Sequence, residues 1–534
     1  MADHIKLPPW FNTGAPVGYG MREPSDFPTC RNLIGHMDRL GVSRSLVWNL
    51  QARDHHPGTG NRRLLQELSS LGTDRERLLP SLVIAPAMIY ENGALDELHR
   101  QCSALHIRAL RSFPGTIGGH RLRMLEPVLR TVADCAPVLF VDLRDCPNYH
   151  AEISDLAELF PQMPIICERG MWGHMMTVFD LMRRHANVYI STAWIHTHHT
   201  LRHLTGQFGT ERVIFAMDWK AHNGASIAGL LYSGLPETDI DAIAHRNLET
   251  LLDTPPTPLR SNPARPDSLW GRLLSKQLQG LNAIDGHGHL GLWGTWLNDW
   301  PDYETQIQEA VELMDMLGIS RTLVSGTDAL VADSLEGNRL LAEKARKHAG
   351  RFSGYVAFHP LYADKLVPQL DVLFANPFFV GFKMLCGYWR VPLTDKRFVP
   401  MLEYAQLHRL PVLCHTWEGA CDSPALLGDI VKKYPDVTFI LGHSGGTDVG
   451  REQAVELARA APNVYLEWCG SFCSQKSWEE IIPQLGAHRV LFGTDGILHD
   501  MAWELGRLLS LDLPDEQLIP ILGDNMRKIL SMRV

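Results

Sequence analysis

The chain has 534 residues, of which 45% are hydrophobic and 21% are charged, a composition ordinary for globular proteins. At roughly 100–250 residues per domain, this length predicts two large domains or several small ones rather than one hydrophobic core. The formal net charge of -10 argues against nucleic acid or an anionic membrane as the main partner.

The cysteines and the amino-terminal sequence indicate the cellular compartment in which the protein is expected. The 10 cysteines do not indicate a disulfide scaffold in a chain of this length. Cys167 and Cys414 lie in the apolar runs PIICE and PVLCH, where reduced, buried thiols are expected. MADHIKLPPW at the amino terminus lacks the pattern of a signal peptide, and no apolar stretch reaches the ~18 residues of a membrane span. We therefore expect a soluble protein of the cytoplasm.

The first half, residues 1–253, contains sequence that recurs in the second half. MDRLGVSRSLV begins at Met37, and MDMLGISRTLV begins at Met314. RVIFAMD at Arg212 and RVLFGTD at Arg489 are separated by the same number of residues. Ordered matches at a nearly fixed offset indicate a tandem duplication.

Residues 254–280 are predicted to link the two halves. TPPTPLRSNPARP, from Thr254 to Pro266, contains five prolines, which remove backbone donors and fix φ. Neither a helix nor a central strand can persist through such a segment. A short connecting helix is expected after it, from Leu269 to Leu278.

The second half, residues 281–534, alternates short apolar runs with helical periodicity. The runs, each rich in β-branched or aromatic residues, are NAID, RTLV, GYVAF, FVGFKM, PVLC, TFIL, VYLE and RVLFG. After the first run, helical spacing on one face is shown by Ile307, Val311, Met314 and Leu317. Eight alternating units in about 250 residues predict a (β/α)₈ barrel, with a doubly wound open sheet as the alternative. Together with the repeat, this predicts an α/β protein of two tandem TIM-type barrels.

Side chains that bind metals stand where the strands of the second half end. His287 and His289 are two residues apart in IDGHGHLG, so both point the same way on an extended strand. The run PVLCH ends on His415, ILGHSGG contains His443, and LFGTDG contains Asp495. Reactive groups of barrels gather at the C-terminal ends of strands. Imidazoles with a carboxylate are the ligands of zinc- or manganese-class ions, so the pattern predicts a metal site.

These segments resemble the amidohydrolase superfamily, and most closely its amidohydrolase-related branch, which includes aminocarboxymuconate semialdehyde decarboxylase. The resemblance rests on IDGHGHLG, GFKM, PVLCHT, ILGHSGG, LFGTDG and GDNMRKIL, spread over the whole second half. It implies four metal ligands, namely His287, His289, His415 and Asp495. It also implies that His443 lies beside the metal-bound water and polarises it or shuttles a proton. Zinc is the expected ion and manganese the alternative; zinc lowers the pKa of its water to about 7, so that His443 or Asp495 could then move protons.

Lys383 ends the fourth strand of the second half, in GFKM. In binuclear amidohydrolases a lysine at this strand is carbamylated and bridges two metals, whereas in the related branch it more often meets an anionic substrate. We favour the second role because a point charge suits a carboxylate, and a structural pair with Glu467 is a third reading. Loops after the strands carry further residues expected to line the substrate site by ring stacking and carboxylate binding: His359, Trp389, Arg390, Trp417, Glu418 and His499.

The first half keeps the apolar strands but lacks most of the ligands. Trp10 and Asn12 stand at the positions of the paired histidines. Val141 stands opposite His415, and Arg169 stands opposite His443. Asp218 keeps the carboxylate and Arg111 keeps a cation opposite Lys383. One carboxylate without imidazoles cannot hold a catalytic zinc against water, so we expect this half to be free of metal.

A histidine cluster, WIHTHHTLRH, follows the seventh strand of the first half. Its members are His196, His198, His199 and His203. His199 and His203 are predicted to share a helix face at i, i+4 spacing. Because no acidic partner stands nearby in the sequence, a solvated or capping role is favoured over a metal site.

The sequence thus predicts a metal-dependent hydrolase that acts on a small, carboxylated or cyclic substrate, an amide or a lactone, through a metal-activated water. Non-oxidative decarboxylation of a small carboxylic acid is the alternative, and a non-catalytic binding or scaffold protein is the third reading. Enzymes resembling the related branch commonly form homodimers, so the resemblance implies that the two barrels pair within the chain. A further homo-oligomer stays open, and no nucleic-acid or membrane partner is expected.

Overall fold

The computed structural model describes residues 7–21, 25–116, 119–259, 265–293, 300–348, 350–470 and 475–533. The chain divides into two compact units. The first comprises Met1–Ile195 and Thr200–Pro266, and the second comprises His196–His199 and Asp267–Val534. The segment His196–His199 therefore belongs to the second unit although it lies in the first half of the sequence. Within the described ranges, no helix combines the length and apolar character needed to cross a bilayer.

The strands of the first unit are parallel and lie in two sheets. Their bounds are β1 (Trp10–Val17), β2 (Val42–Asn49), β3 (Leu78–Pro80), β4 (Leu82–Val83), β5 (Ala109–Ser112), β6 (Val138–Asp142), β7 (Ile165–Glu168), β8 (Val188–Ser191) and β9 (Val213–Ile214). One sheet has the order β1-β2-β3, and the other runs from β4 to β9 in sequence order.

The apolar run LLPSLV explains the break between these sheets. Pro80 ends β3 and has no N–H to continue the ladder, and β4 begins at Leu82. β3 pairs with β2, whereas β4 pairs with β5. The pairing of the described strands of the first unit is therefore interrupted between β3 and β4, and a single closed barrel, which the sequence predicts, is not shown for this unit.

Helices follow the strands of the first unit along the chain. The longer ones are Cys30–Leu40, Pro57–Ser69, Ala94–Leu105, Tyr149–Leu159, Met175–Arg184 and Thr200–Phe208. Cys30–Leu40 is typical: Thr29 and Asn32 form a reciprocal capping box at its start, and Gly41 ends it with φ 84. Its buried face, which includes Leu33 and Met37, packs toward the sheet.

The second unit contains one eight-stranded parallel sheet in strict sequence order. Its strands are β10 (Ala283–Leu290), β11 (Ile319–Gly326), β12 (Phe352–Ala357), β13 (Phe379–Met384), β14 (Pro411–His415), β15 (Thr438–Gly442), β16 (Val464–Glu467) and β17 (Val490–Leu491). All eight coincide with the apolar runs of the sequence. Gly286 donates its N–H to Phe492 O at 2.9 Å, and Gly288 forms a parallel bridge with Gly496. These contacts bring β10 back to the chain after β17, so the sheet is a nearly closed TIM-type barrel.

The longer helices of the second unit are Tyr303–Leu317, Ser334–Ala345, Val399–His408, Asp448–Ala460, Gln475–Leu485, Met501–Leu509 and Asn525–Ser531. The predicted helix after β10 begins at an N-cap, Asp302, whose side chain accepts from Thr305 N–H. It ends at Gly318, whose φ of 67 favours glycine. The connecting helix is shorter than predicted and spans Leu269–Leu274.

An apolar cluster fills the barrel of the second unit. Its strand members are Ile284, Leu323, Tyr355, Val380, Leu413, Ile440 and Leu491. In each strand, this apolar residue comes before the polar residues that lie at the end of the strand or in the loop after it. The apolar layer therefore carries the packing, and the polar side chains gather at the C-terminal ends of the strands.

Candidate metal centre

The site begins with the close approach of β10 to the segment after β17. All eight residues of β10 are buried. A Cβ at Gly288 would lie 2.5 Å from Thr322 Cγ2 and 2.9 Å from Gly496 O, so the position between the two histidines requires glycine. Asp495 N–H donates to His287 O at 2.7 Å. This backbone pairing places the Asp495 side chain opposite the histidines.

Three of the four predicted ligands converge closely. Asp495 Oδ1 lies 2.9 Å from His289 Nε2 and 3.5 Å from His287 Nε2. The ligand atoms of these three residues lie within 4.8 Å of one another. His415 is not part of this tight group, but its ring centroid is 4.9 Å from that of His443, which in turn is 5.0 Å from that of His287. The structure therefore brings all five strand-end residues into one cluster.

Hydrogen-bonding partners orient the imidazoles. His287 Nδ1 lies 3.1 Å from Glu467 Oε2, and His415 Nδ1 lies 2.9 Å from Asp422 Oδ2. The Nδ1 of His289 lies 3.2 Å from Ser325 Oγ. With the Nδ1 atoms engaged in this way, the Nε2 atoms of His287 and His289 are turned toward Asp495, the arrangement found around metal-binding histidines.

Burial sets the protonation states of the cluster. It lowers the pKa of His287 and of His443 well below the usual value, so both rings are neutral and offer a lone pair. Burial alone would raise the pKa of Asp495, but the nearby rings of His499, His287 and His289 outweigh it and hold that pKa well below its usual range. Neutral imidazoles around an ionised carboxylate form a donor set that fits a divalent cation.

Lys383 lies inside this cluster, at the end of β13. Its side chain is fully buried, and its Nζ lies 2.5 Å from His287 Nε2. Burial lowers the pKa of Lys383, while the charge of Asp495 acts in the opposite direction. No ion pair joins Lys383 to Glu467, both of which the structure describes, so the structural pair considered from the sequence is not formed.

Two of the predicted lining residues border the cluster. The Trp417 ring is stacked on His415 at a centroid distance of 6.0 Å and meets His443 edge-on at 5.9 Å. His499 is buried, and its Nδ1 lies 3.8 Å from Asp495 Oδ2. Tyr388, which the sequence reasoning missed, packs edge-on against His415 at 5.5 Å.

The other predicted lining residues make different contacts. His359 caps a short helix by accepting from Leu361 N–H at 3.2 Å, and its ring packs on Trp389 at 4.5 Å. Trp389 Nε1 donates to a backbone carbonyl at 2.7 Å. Arg390 and Glu418 are exposed. No recorded contact of these four described residues reaches the metal-binding side chains.

Cys469 was not assigned a role from the sequence and Glu467 was considered only as a partner of Lys383, yet both contact His287 and His443. Glu467 Oε2 accepts from His443 N–H at 3.0 Å in addition to its contact with His287. Cys469 Sγ lies 3.2 Å from His287 Nδ1 and 3.4 Å from His443 Nδ1. Their position at the end of β16 is the one sequence signal that could have singled them out.

At the matching strand ends of the first unit, arginines face carboxylates. Arg111 at the end of β5 forms a buried ion pair with Glu168. Arg169, which follows β7, pairs with Asp142, and its Nη1 lies 3.9 Å from Asp218 Oδ1. Each of these three carboxylates thus has a guanidinium within ion-pair distance.

The remaining matching positions of the first unit are engaged in packing and hydrogen bonds. Asn12 Nδ2 donates to Ser45 Oγ at 3.0 Å, and Asn12 Oδ1 accepts from Met217 N–H at 2.7 Å. The Trp10 ring packs on Phe215 at 4.8 Å. Val141 is fully buried.

The histidine cluster of the first half is arranged differently from the prediction. His199 lies in a turn with φ 64, and the helix Thr200–Phe208 begins after it. His199 and His203 therefore do not share a helix face, because only His203 is helical. An acidic partner is also present: Glu309 Oε1 lies 2.5 Å from His199 Nε2.

Comparison with known proteins gives one family match. A search of curated proteins finds no significant match to this chain. Among solved structures, 5-carboxyvanillate decarboxylase from Sphingomonas paucimobilis is 12% identical over 47% of this chain and 99% of its own, with a TM-score of 0.37. 2,6-Dihydroxybenzoate decarboxylase from Rhizobium is 17% identical over 48% of this chain and 99% of its own, with a TM-score of 0.38. Residues 284–531 match the model of a family described as amidohydrolase.

Proposed function

We propose that the second unit is a metal-dependent hydrolase of the amidohydrolase superfamily, in its amidohydrolase-related branch. Its substrate would be a small carboxylated or cyclic molecule, an amide or a lactone. One observation carries the proposal: His287, His289 and Asp495 converge at the C-terminal strand ends, with the Nδ1 atoms of both histidines engaged by other side chains. Such a set is built to hold a cation at the mouth of a barrel.

The cation would be held by His287, His289, Asp495 and His415, of which His415 would need to move toward the other three. When bound, a zinc- or manganese-class ion supplies a Lewis acid that polarises a carbonyl or carboxylate and acidifies water. Imidazole suits zinc and carboxylate suits manganese, so the ligand types are compatible with either ion. Glu467 and Asp422 would keep the imidazoles in the required orientation.

The remaining polar side chains would bind the substrate and move protons. His443 is neutral and buried, and can accept a proton from an attacking water and return it to a leaving group. Lys383 would bind a substrate carboxylate inside the cluster, because an ammonium is a point charge without a carboxylate partner within ion-pair distance among the described residues. The Trp417 ring would form a wall for a planar substrate.

Lys383 also supports the second candidate function, non-oxidative decarboxylation of a small carboxylic acid. A carboxylate held beside a buried ammonium and a cation could itself be the group that is lost as CO₂, with His443 passing a proton from water to the carbon left behind. The third reading, a binding or scaffold protein, would require a cluster that does not take up metal.

We also propose that the two units arose by tandem duplication of one (β/α)₈ barrel and that the two copies pair within the chain. Unusual backbone conformations support this origin. Arg169 and His443, matched by the repeat, both have positive φ, 55 and 62, although neither is glycine. Shared strain at matched positions is expected of copies that kept their backbone and changed their side chains.

The test is an assay of the full chain loaded with zinc or manganese against lactones, amides and carboxylated aromatics. Release of CO₂ would identify a decarboxylase, and cleavage without CO₂ would identify a hydrolase. His443→Gln is the control, since it should keep the metal and lose turnover of the true substrate. A chain that takes up no metal under any loading condition would contradict both enzymatic functions and favour the scaffold.

A further inference from the structure

We propose that His198, His199 and Glu309 form a second site for a divalent zinc-class cation, separate from the centre at the strand ends. His198 and His199 belong to the segment His196–His199, and Glu309 lies on the helix Tyr303–Leu317 of the same unit. Their ligand atoms lie within 4.8 Å of one another. Two imidazoles and one carboxylate are a ligand set that zinc takes in proteins.

Both imidazoles lie close to the same oxygen atom, Glu309 Oε1. His198 Nε2 lies 3.4 Å from Glu309 Oε1, and His199 Nε2 lies 2.5 Å from it. Two ligands of a tetrahedral ion with bonds of about 2.1 Å stand roughly 3.4 Å apart. The His198 separation already has this value. A small rotation of the His199 ring or of the carboxylate would bring the second pair to it.

Trp300 fixes the carboxylate and covers the cluster. Its Nε1 donates to Glu309 Oε2 at 2.7 Å, which leaves Oε1 turned toward the histidines. Its ring is stacked on His198, with centroids 5.7 Å apart and planes 10° from parallel. Hydrogen bonds that orient a ligand in this way are typical of metal sites.

Burial and charge favour the forms that bind a cation. His198 and His199 are 8% and 7% exposed. Burial lowers the pKa of His198, so its ring is neutral. Burial would raise the pKa of Glu309, but hydrogen bonds from His198, His199 and Trp300 outweigh it and keep that carboxylate ionised. Neutral imidazole and ionised carboxylate are the protonation states that metal binding requires.

The cation would tie the segment His196–His199 to the helix Tyr303–Leu317. The same segment is bonded to the chain that follows the metal centre: His198 N–H donates to Leu498 O at 3.2 Å, and Asp500 N–H donates to His196 O at 2.8 Å. The proposed ion is therefore a structural one, which anchors residues next to Asp495 without contacting the substrate.

The experiment measures the metal content of the full chain after loading with zinc chloride and dialysis. Glu309→Gln removes the shared ligand, and Glu312→Gln is the matched control, because Glu312 is exposed on the same helix. Wild type and Glu312→Gln should retain two ions per chain, and Glu309→Gln should retain one. His199→Gln is a second test variant, and circular dichroism verifies that each variant is folded.

A parallel series separates this site from the strand-end centre. In a chain carrying His287→Asn and His289→Asn, one ion should remain, and adding Glu309→Gln should remove it. Cobalt loaded into the same background should give the visible absorption of a four-coordinate ion, which Glu309→Gln abolishes. Equal metal content in Glu309→Gln, His199→Gln and Glu312→Gln would overturn the proposal, whatever the strand-end centre does.

Discussion

The carboxylates at the strand ends of the two units are surrounded by different side chains. In the first unit, Arg111 and Arg169 stand among the carboxylates Glu168, Asp142 and Asp218. In the second, imidazoles surround Asp495. A guanidinium is always charged and cannot leave, whereas a neutral imidazole supplies only a lone pair. The first unit therefore pairs its carboxylates with guanidinium cations. In the second unit Lys383 has no carboxylate within ion-pair distance among the described residues, and we infer that Asp495 receives a metal cation from solution.

This difference shows that the apolar residues that pack each unit can stay the same in kind while the residues at the strand ends differ. Both units bury apolar residues on parallel strands, with Phe140 and Ile166 in one and Leu413 and Ile440 in the other. These residues stabilise each unit whatever stands at the strand ends. Changes at the strand ends should therefore affect metal binding in the second unit and folding stability in the first.

The largest effect is expected from removing the paired histidines. His287→Asn combined with His289→Asn leaves too few donors, so metal content should fall by one ion per chain and activity should fall to background. Metal analysis and a turnover assay measure this. The matched change in the first unit, Asp218→Asn, should alter neither. Unchanged metal content in the double variant would contradict the assignment of the site.

His443→Gln should separate catalysis from binding. We expect the metal to be retained and turnover to fall by roughly 10²–10⁴-fold, the contribution of a general acid–base group. Steady-state kinetics and metal analysis on one preparation give both numbers. Loss of the metal with turnover restored by added ion would instead make His443 a ligand.

Glu467 and Glu168 offer a direct comparison between the units. Glu467→Gln should weaken metal binding by about 10–100-fold, because it removes the charge that orients His287. Glu168→Gln leaves the buried Arg111 without its counter-charge and should cost about 3–5 kcal/mol in the free energy of unfolding. Metal titration of both variants measures the affinity for the ion, and chemical denaturation measures the free energy of unfolding. The reverse assignment of the two effects would mean that the units are not specialised as described.

The smallest effect is expected from Arg390→Ala. Arg390 is exposed, so the free energy of unfolding should change by less than about 0.5 kcal/mol and metal content should not change. The KM of the Arg390→Ala variant is the measurement that tests the predicted contact of Arg390 with substrate. A raised KM with unchanged stability would place the guanidinium beside the bound substrate, and an unchanged KM would remove it from the site.

Local sequence patterns predicted much of the second unit. The eight apolar runs coincide with β10 to β17 because strands buried on both faces are rich in apolar residues up to the point where the site begins. His287, His289, His415, His443 and Asp495 end or follow strands, so a parallel barrel brings them to one end without further information. In the first unit, Pro80 divides the expected barrel sheet, which the apolar pattern alone did not reveal.

Partners distant in sequence could not be found in this way. Glu309 approaches His199 only after folding, so the acid that completes the histidine cluster was missed. Glu467 and Asp422 hold imidazoles by single hydrogen bonds, which leave no periodic pattern. His359 and Arg390 follow strands as expected, but His359 caps a short helix and Arg390 is exposed.

The most direct test of the account is the location of metal in crystals of the full chain. Anomalous X-ray diffraction at the absorption edge of zinc or manganese identifies each bound ion by position. We expect a peak between His287, His289 and Asp495, and no peak beside Asp218 and Arg169 at the strand ends of the first unit. A peak in the first unit, or none among the three ligands in the second, would contradict the division of roles between the two units.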